Sequence, residues 1–178
     1  MKEIVLIFAL FTTFLSFSQR NVNYNFTINT TFTTNENFGD YDNFYDETDW
    51  NLLRPNALIL RNGFDIEIAS KITFGLNFGL DWHSDLEILT FPYFIDVKYA
   101  LVQVDDDKLY IGAGAGKLLK FGNAFENGKY YKTGIGYYIS TMKNYSIIFN
   151  VDFHQKQIPD YDNGRLNSLS FGLGMIFL

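Results

Sequence analysis

Apolar and polar residues alternate along most of this chain, in runs of roughly ten residues broken by polar, turn-forming segments. A period of two is that of a β-strand whose two faces meet different surroundings. The cleanest run sets Ile72, Phe74, Leu76, Phe78, Leu80 and Trp82 against Thr73, Gly75, Asn77, Gly79 and Asp81. Comparable runs cover 22–32, 57–68, 91–101, 109–116, 131–139, 145–154 and 168–177. The pattern therefore predicts eight strands, an even number, of about the length that crosses a bilayer.

The connections fall into two classes. Ser70-Lys71, the segment around Asp105-Asp106-Asp107 and the segment around Thr141-Met142-Lys143 are short turns, and they share one rim. Thr34 to Pro55, His83 to Leu89, Lys120 to Lys129 and Gln155 to Asn167 are longer and polar, and they share the other. Short turns on one side and long loops on the other are the asymmetry of transmembrane barrels, whose short turns are periplasmic.

A soluble, lipocalin-like barrel has the same alternation, so the faces must be assigned on other grounds. Gly75, Gly79, Gly112, Gly114, Gly116, Gly134, Gly136, Gly172 and Gly174 all fall on the polar face. On the outside of a soluble barrel they would weaken the sheet; inside a narrow one they make room for larger neighbours. The same face carries Arg61, Lys98 and Lys132 with Asp65, Glu67, Asp81, Asp96 and Asp152, which reads as an ion-paired lumen. Aromatics near the strand ends (Trp82, Phe91, Tyr93, Tyr99, Tyr131, Tyr145, Phe153 and Phe177) suit two interfacial girdles. The predicted fold is all-β: an eight-stranded antiparallel up-and-down transmembrane barrel, its apolar face outward.

The N-terminus changes the picture by adding an address. Lys2, the apolar run Ile4 to Leu15 and the small-x-small segment Ser16-Phe17-Ser18 predict a signal peptide over 1–18, leaving a barrel domain over 19–178. The alternative is a buried N-terminal helix of a soluble domain. With no cysteine in the sequence there is no disulfide scaffold, no cysteine-based metal site and no residue for a lipoprotein anchor. A net charge of −6 gives no footprint for nucleic acid, and 19% aromatic content suits a membrane-water boundary.

With the processing site, the eight runs and the final strand Leu169 to Leu178, the chain resembles the small outer-membrane β-barrel proteins common in Bacteroidetes-type bacteria, of OmpA/OmpX-like architecture. That resemblance implies outer-membrane lipid, lipopolysaccharide and the barrel-assembly machinery as partners. It implies a location and a fold rather than an activity. Such families typically end in an aromatic residue, and here Phe177 is penultimate.

Candidate chemistry is sparse. The segment around Phe153-His154 is faintly similar to the end of outer-membrane lipid A deacylases, but Lys156 stands where their nucleophilic serine would. His83-Ser84-Asp85 holds the residue types of a triad without its spatial logic. Gly112 to Lys117 fails the phosphate-loop spacing and reads as a strand face. Asp40-Tyr41-Asp42-Asn43 and Asp160-Tyr161-Asp162-Asn163 could touch a cation, though solvated acidic loops explain them as well. The expectation is a structural or surface-interaction barrel with no cofactor and no metal, presenting loops 34–55 and 155–167 outside. A narrow channel, a lipid-modifying enzyme using His154 or His83, and a soluble periplasmic lipid-binding barrel are the alternatives.

Overall fold

The structure, a computed structural model, describes residues 22–34, 41–42, 47–48, 53–83, 87–141, 144–159 and 164–177. The expected signal peptide lies outside these. The strands are β1 (Val22–Thr34), β2 (Tyr41–Asp42), β3 (Glu47–Thr48), β4 (Leu53–Ala69), β5 (Ile72–His83), β6 (Ile88–Val104), β7 (Asp107–Leu119), β8 (Gly128–Ser140), β9 (Tyr145–Gln157) and β10 (Leu166–Phe177). Strands β1 and β4 to β10 form a closed barrel of eight strands, and every neighbouring pair is antiparallel. β1 closes it by pairing with both β10 and β4. The β2–β3 hairpin stands apart from the barrel sheet.

The strands run further than the alternation predicts at the long-loop end. β9 continues to Gln157 and β10 begins at Leu166, so both ends of the expected loop 155–167 are ladder. Likewise β4 begins at Leu53, His83 closes β5, β6 begins at Ile88, and Gly128 opens β8. Backbone pairing with a neighbour extends a strand past the point where its own side chains stop alternating. The short turns stand as expected at 70–71 and 105–106, with a third connection at 141–144.

Large and small side chains alternate around the interior. Across the ladders Asp65 faces Gly75, Gly75 faces Asp96, Asp96 faces Gly114, Gly114 faces Lys132, and Lys132 faces His154. A second ring runs Phe94, Gly116, Tyr130, Lys156. Cross-strand neighbours are only about 5 Å apart, so in a narrow lumen each bulky group needs a missing side chain beside it.

Two of these glycines separate the steric demand cleanly. A Cβ on Gly116 would collide with the Tyr93 carbonyl and the Phe94 backbone, neither of which can rotate away. A Cβ on Gly112 would meet Lys98 Cγ and the Val97 carbonyl at 3.5 Å, ordinary contact. Gly116→Ala is therefore expected to lower folding stability by about 1–3 kcal/mol. Gly112→Ala should stay within about 0.5 kcal/mol of the parent. Urea unfolding followed by tryptophan fluorescence checks both, and equal losses would refute the packing argument.

Candidate functional site

The barrel's two faces have opposite character. Each of the eight barrel strands turns large, apolar, exposed residues outward, among them Ile28, Leu58, Leu76 (55%), Ile95 (60%), Ile111, Ile135, Phe149 and Leu173. Most buried inward residues are polar or charged, and Asp81, His83, His154 and Lys156 have no exposed surface at all. Alternation places them there, since odd and even positions of one strand point to opposite sides of the wall.

In the half of the lumen nearer the long loops, one carboxylate organises the charges. Asp81 on β5 accepts both terminal nitrogens of Arg61 on β4, Nη2 to Oδ2 at 2.9 Å, and pairs through Oδ2 with Lys156 Nζ on β9 at 2.7 Å. Lys156 also donates to His83 Nε2 at 2.5 Å. Arg61 donates to the Tyr130 hydroxyl at 3.2 Å, and its guanidinium lies 5.8 Å and 5.5 Å from the Phe94 and Tyr130 ring centres. The Tyr130 hydroxyl hydrogen-bonds to His154 Nδ1 at 2.6 Å, and donates there when the ring carries its proton on Nε2. His154 then donates from Nε2 to Ser170 Oγ at 2.6 Å, and Ser170 donates to the Asp152 carbonyl at 3.4 Å. β4 and β8 lie opposite each other in the barrel, as do β5 and β9, so Arg61–Tyr130 and Asp81–Lys156 are struts across the lumen. Phe94, Leu118, Tyr130 and Ile158 pack into an apolar plug at this end.

The middle of the lumen is a second network. Lys98 pairs with Asp65 at 2.6 Å and Asp96 at 3.9 Å; Lys132 pairs with Asp152 at 3.3 Å and Asp96 at 4.0 Å. Asn77 donates to Asp96 at 3.0 Å, and Asn150 donates to Asp152. The cavity among these groups measures about 20 Å³, room for a water molecule rather than a path. At the short-turn end Lys108 bridges to Glu67 at 2.8 Å beside a vestibule of about 270 Å³.

Arg61, Asp65, Glu67, Asp81, Asp96, Lys98, Lys132 and Asp152 thus all lie on the inward face, but divided among three groups rather than joined in one. Lys156 and His83 are corrections: both were expected in external loops, and both are buried in the lumen. Lys156 shares parity with Asp152 and His154, so carrying β9's alternation two residues further would have found it. Lys108 is two residues from Tyr110 on the same face and was passed over for the same reason. The hydroxyl beside His154 is Ser170, on the neighbouring strand, not position 156. Both partners are fully buried in the lumen, on the side of the wall away from the apolar exterior. Ser84, Asp85 and Asp160 to Asn163 lie outside the described residues. Gly112 to Gly116 lie within β7, as their spacing predicts.

The geometry separates a buried charge from a half-exposed one. Asp81→Asn leaves Arg61 and Lys156 buried without their carboxylate, an expected loss of about 3–5 kcal/mol. Glu67→Gln breaks a pair whose partners are 29% and 19% exposed, and should cost at most about 1 kcal/mol. Urea midpoints of the two variants against the parent test this; a milder effect at Asp81 than at Glu67 would contradict it.

No protein-family model matches the sequence, and no curated protein matches it. The fold does have solved counterparts. The N-terminal β-barrel domain of Pseudomonas aeruginosa OprF is 11% identical, with 89% of this chain and 97% of that one covered and a TM-score of 0.54. A de novo designed transmembrane β-barrel (9% identical, 89% and 95% covered, TM-score 0.46) and the outer membrane protein AlkL (13%, 89% and 90%, 0.45) also align. At such identities the likeness to the OprF domain speaks to the fold alone: a closed, eight-stranded antiparallel barrel.

Proposed function

We propose that this chain is an outer-membrane β-barrel with a structural or surface-interaction role, its short turns in the periplasm and its long loops outside. One observation carries the reading: the barrel is apolar without and ion-paired within. Soluble proteins rarely expose a contiguous apolar patch beyond a few hundred Å², whereas exposed large apolar side chains stand on every barrel strand here. A closed barrel leaves no strand edge unpaired, as hydrocarbon requires. Lipid and lipopolysaccharide would contact the belt, the barrel-assembly machinery would insert it, and an external partner would meet the connections at 35–52, 120–127 and 158–165.

The lumen supports a plug rather than a channel. Ion pairs, the plug of Phe94, Leu118, Tyr130 and Ile158, and a central cavity of about 20 Å³ stand in the way of hydrated ions. A lipid-binding cavity needs an apolar interior, and this one is polar. The His154–Ser170 pair has the contact of a base and a nucleophile, but a lipid substrate would have to cross the wall to reach it.

Expression followed by outer-membrane isolation, with boiled and unboiled samples compared on a detergent gel, tests the reading. The chain should fractionate with the outer membrane and shift mobility on heating, and should give no unitary conductance in a planar bilayer. Ile95→Arg, halfway along β6, should cut the folded fraction in the membrane, since a cation at the bilayer midplane costs about 2–4 kcal/mol. Recovery as a soluble protein without a heat shift, or an unaffected Ile95→Arg, would refute it.

A further inference from the structure

Charge is scarce on the outward face of the barrel strands. Among the strand residues with described side chains, which leave out Arg54, it comes down to Asp107 at the short-turn end and Lys117 and Lys129 at the long-loop end. Asp107 is satisfied by the Tyr137 hydroxyl at 3.1 Å and the Ser140 N–H at 2.8 Å. The lysines have no such arrangement. They stand directly opposite each other in the β7–β8 ladder, both exposed, with no ion-pair partner among the described residues. Lys120, also exposed, adds a third cation just beyond the end of β7; among the described residues Glu126 and Glu87 are the carboxylates of the nearby connections. Like charges placed opposite each other across a ladder destabilise it, so this pair calls for an anion from outside the chain.

The surface below the pair has a shape of its own. Ala115 and Ala113 follow Lys117 down the outward face of β7. Ala115 lies between Ile95 and Tyr131, and Ala113 between Val97 and Thr133. The result is a lane of methyl groups between bulkier walls, leading from the cations into the apolar belt. Beside its upper end Phe121 packs edge-on against Phe91 at 5.1 Å and Phe125 at 5.8 Å.

The geometry points to a binding site for a phosphorylated glycolipid of the outer leaflet, the lipid A class. Its phosphates rest on Lys117 and Lys129 with Lys120 in reach, and one acyl chain lies along Ala115 and Ala113. An ammonium is a compact partner for phosphate, cations at a membrane surface gain from anionic headgroups, and the lane lets a chain make close apolar contact. The site rests on the membrane placement proposed above, with the long-loop end in the external leaflet.

The test uses the full mature barrel in phosphatidylcholine nanodiscs, titrated with bis-phosphorylated lipid A and with the same lipid after dephosphorylation. The parent should bind the phosphorylated form at least about tenfold more tightly. Lys117→Gln with Lys129→Gln should remove that preference while leaving the heat shift intact. Ala115→Phe, which fills the lane, should weaken binding of both forms. Equal binding by the double variant, no preference for the phosphorylated lipid, or displacement by equimolar inorganic phosphate would each overturn the site. A parent chain without a heat shift would overturn the membrane placement itself, and the lipid site with it.

Discussion

Eight strands closed on themselves enclose a space that side chains alone fill, so a charge turned inward must find its counterion inside. In this barrel that burden falls most heavily on Asp81. It holds Arg61 and Lys156 together, and through them it fixes His83 and Tyr130. Tyr130 in turn orients His154, which orients Ser170. Lys98, Lys132 and Lys108 are neutralised in the same manner further along the axis by Asp65, Asp96, Asp152 and Glu67. Glycines ease this requirement where the strut is bulkiest: Gly79 stands beside Arg61 and Gly116 beside Tyr130.

Filling the interior with polar groups decides what the exterior can be. The apolar half of every strand has no other place to go, and a continuous apolar wall finds its stable surroundings in hydrocarbon. The same economy shapes the surroundings of the serine and histidine in contact. Their hydrogen bonds run from Arg61 through Tyr130 and His154 to Ser170 and end on a backbone carbonyl, so each donor is consumed in holding the wall together. Where the outward face does carry uncompensated charge, at Lys117 and Lys129, that charge points away from the lumen and its counterions.

Much of the architecture was legible in the sequence, because a period of two is a local property. Ile72 to Trp82 announce their strand and its two faces with no knowledge of the neighbours, and nine glycines on polar positions mark the interior. From those alone followed eight strands, the inward set from Arg61 to Asp152, and short turns opposite long loops. Alternation could not say where a strand stops, since Lys156 and His83 belong to the barrel through backbone pairing with neighbours far away in the chain. Nor could it say which charges meet. Asp81 and Lys156, or Arg61 and Tyr130, face each other across the diameter only because of the strand order and the register of closure. Those depend on all eight ladders together, so the tertiary structure alone decided the pairing inside the lumen and the meeting of Lys117 with Lys129 outside it.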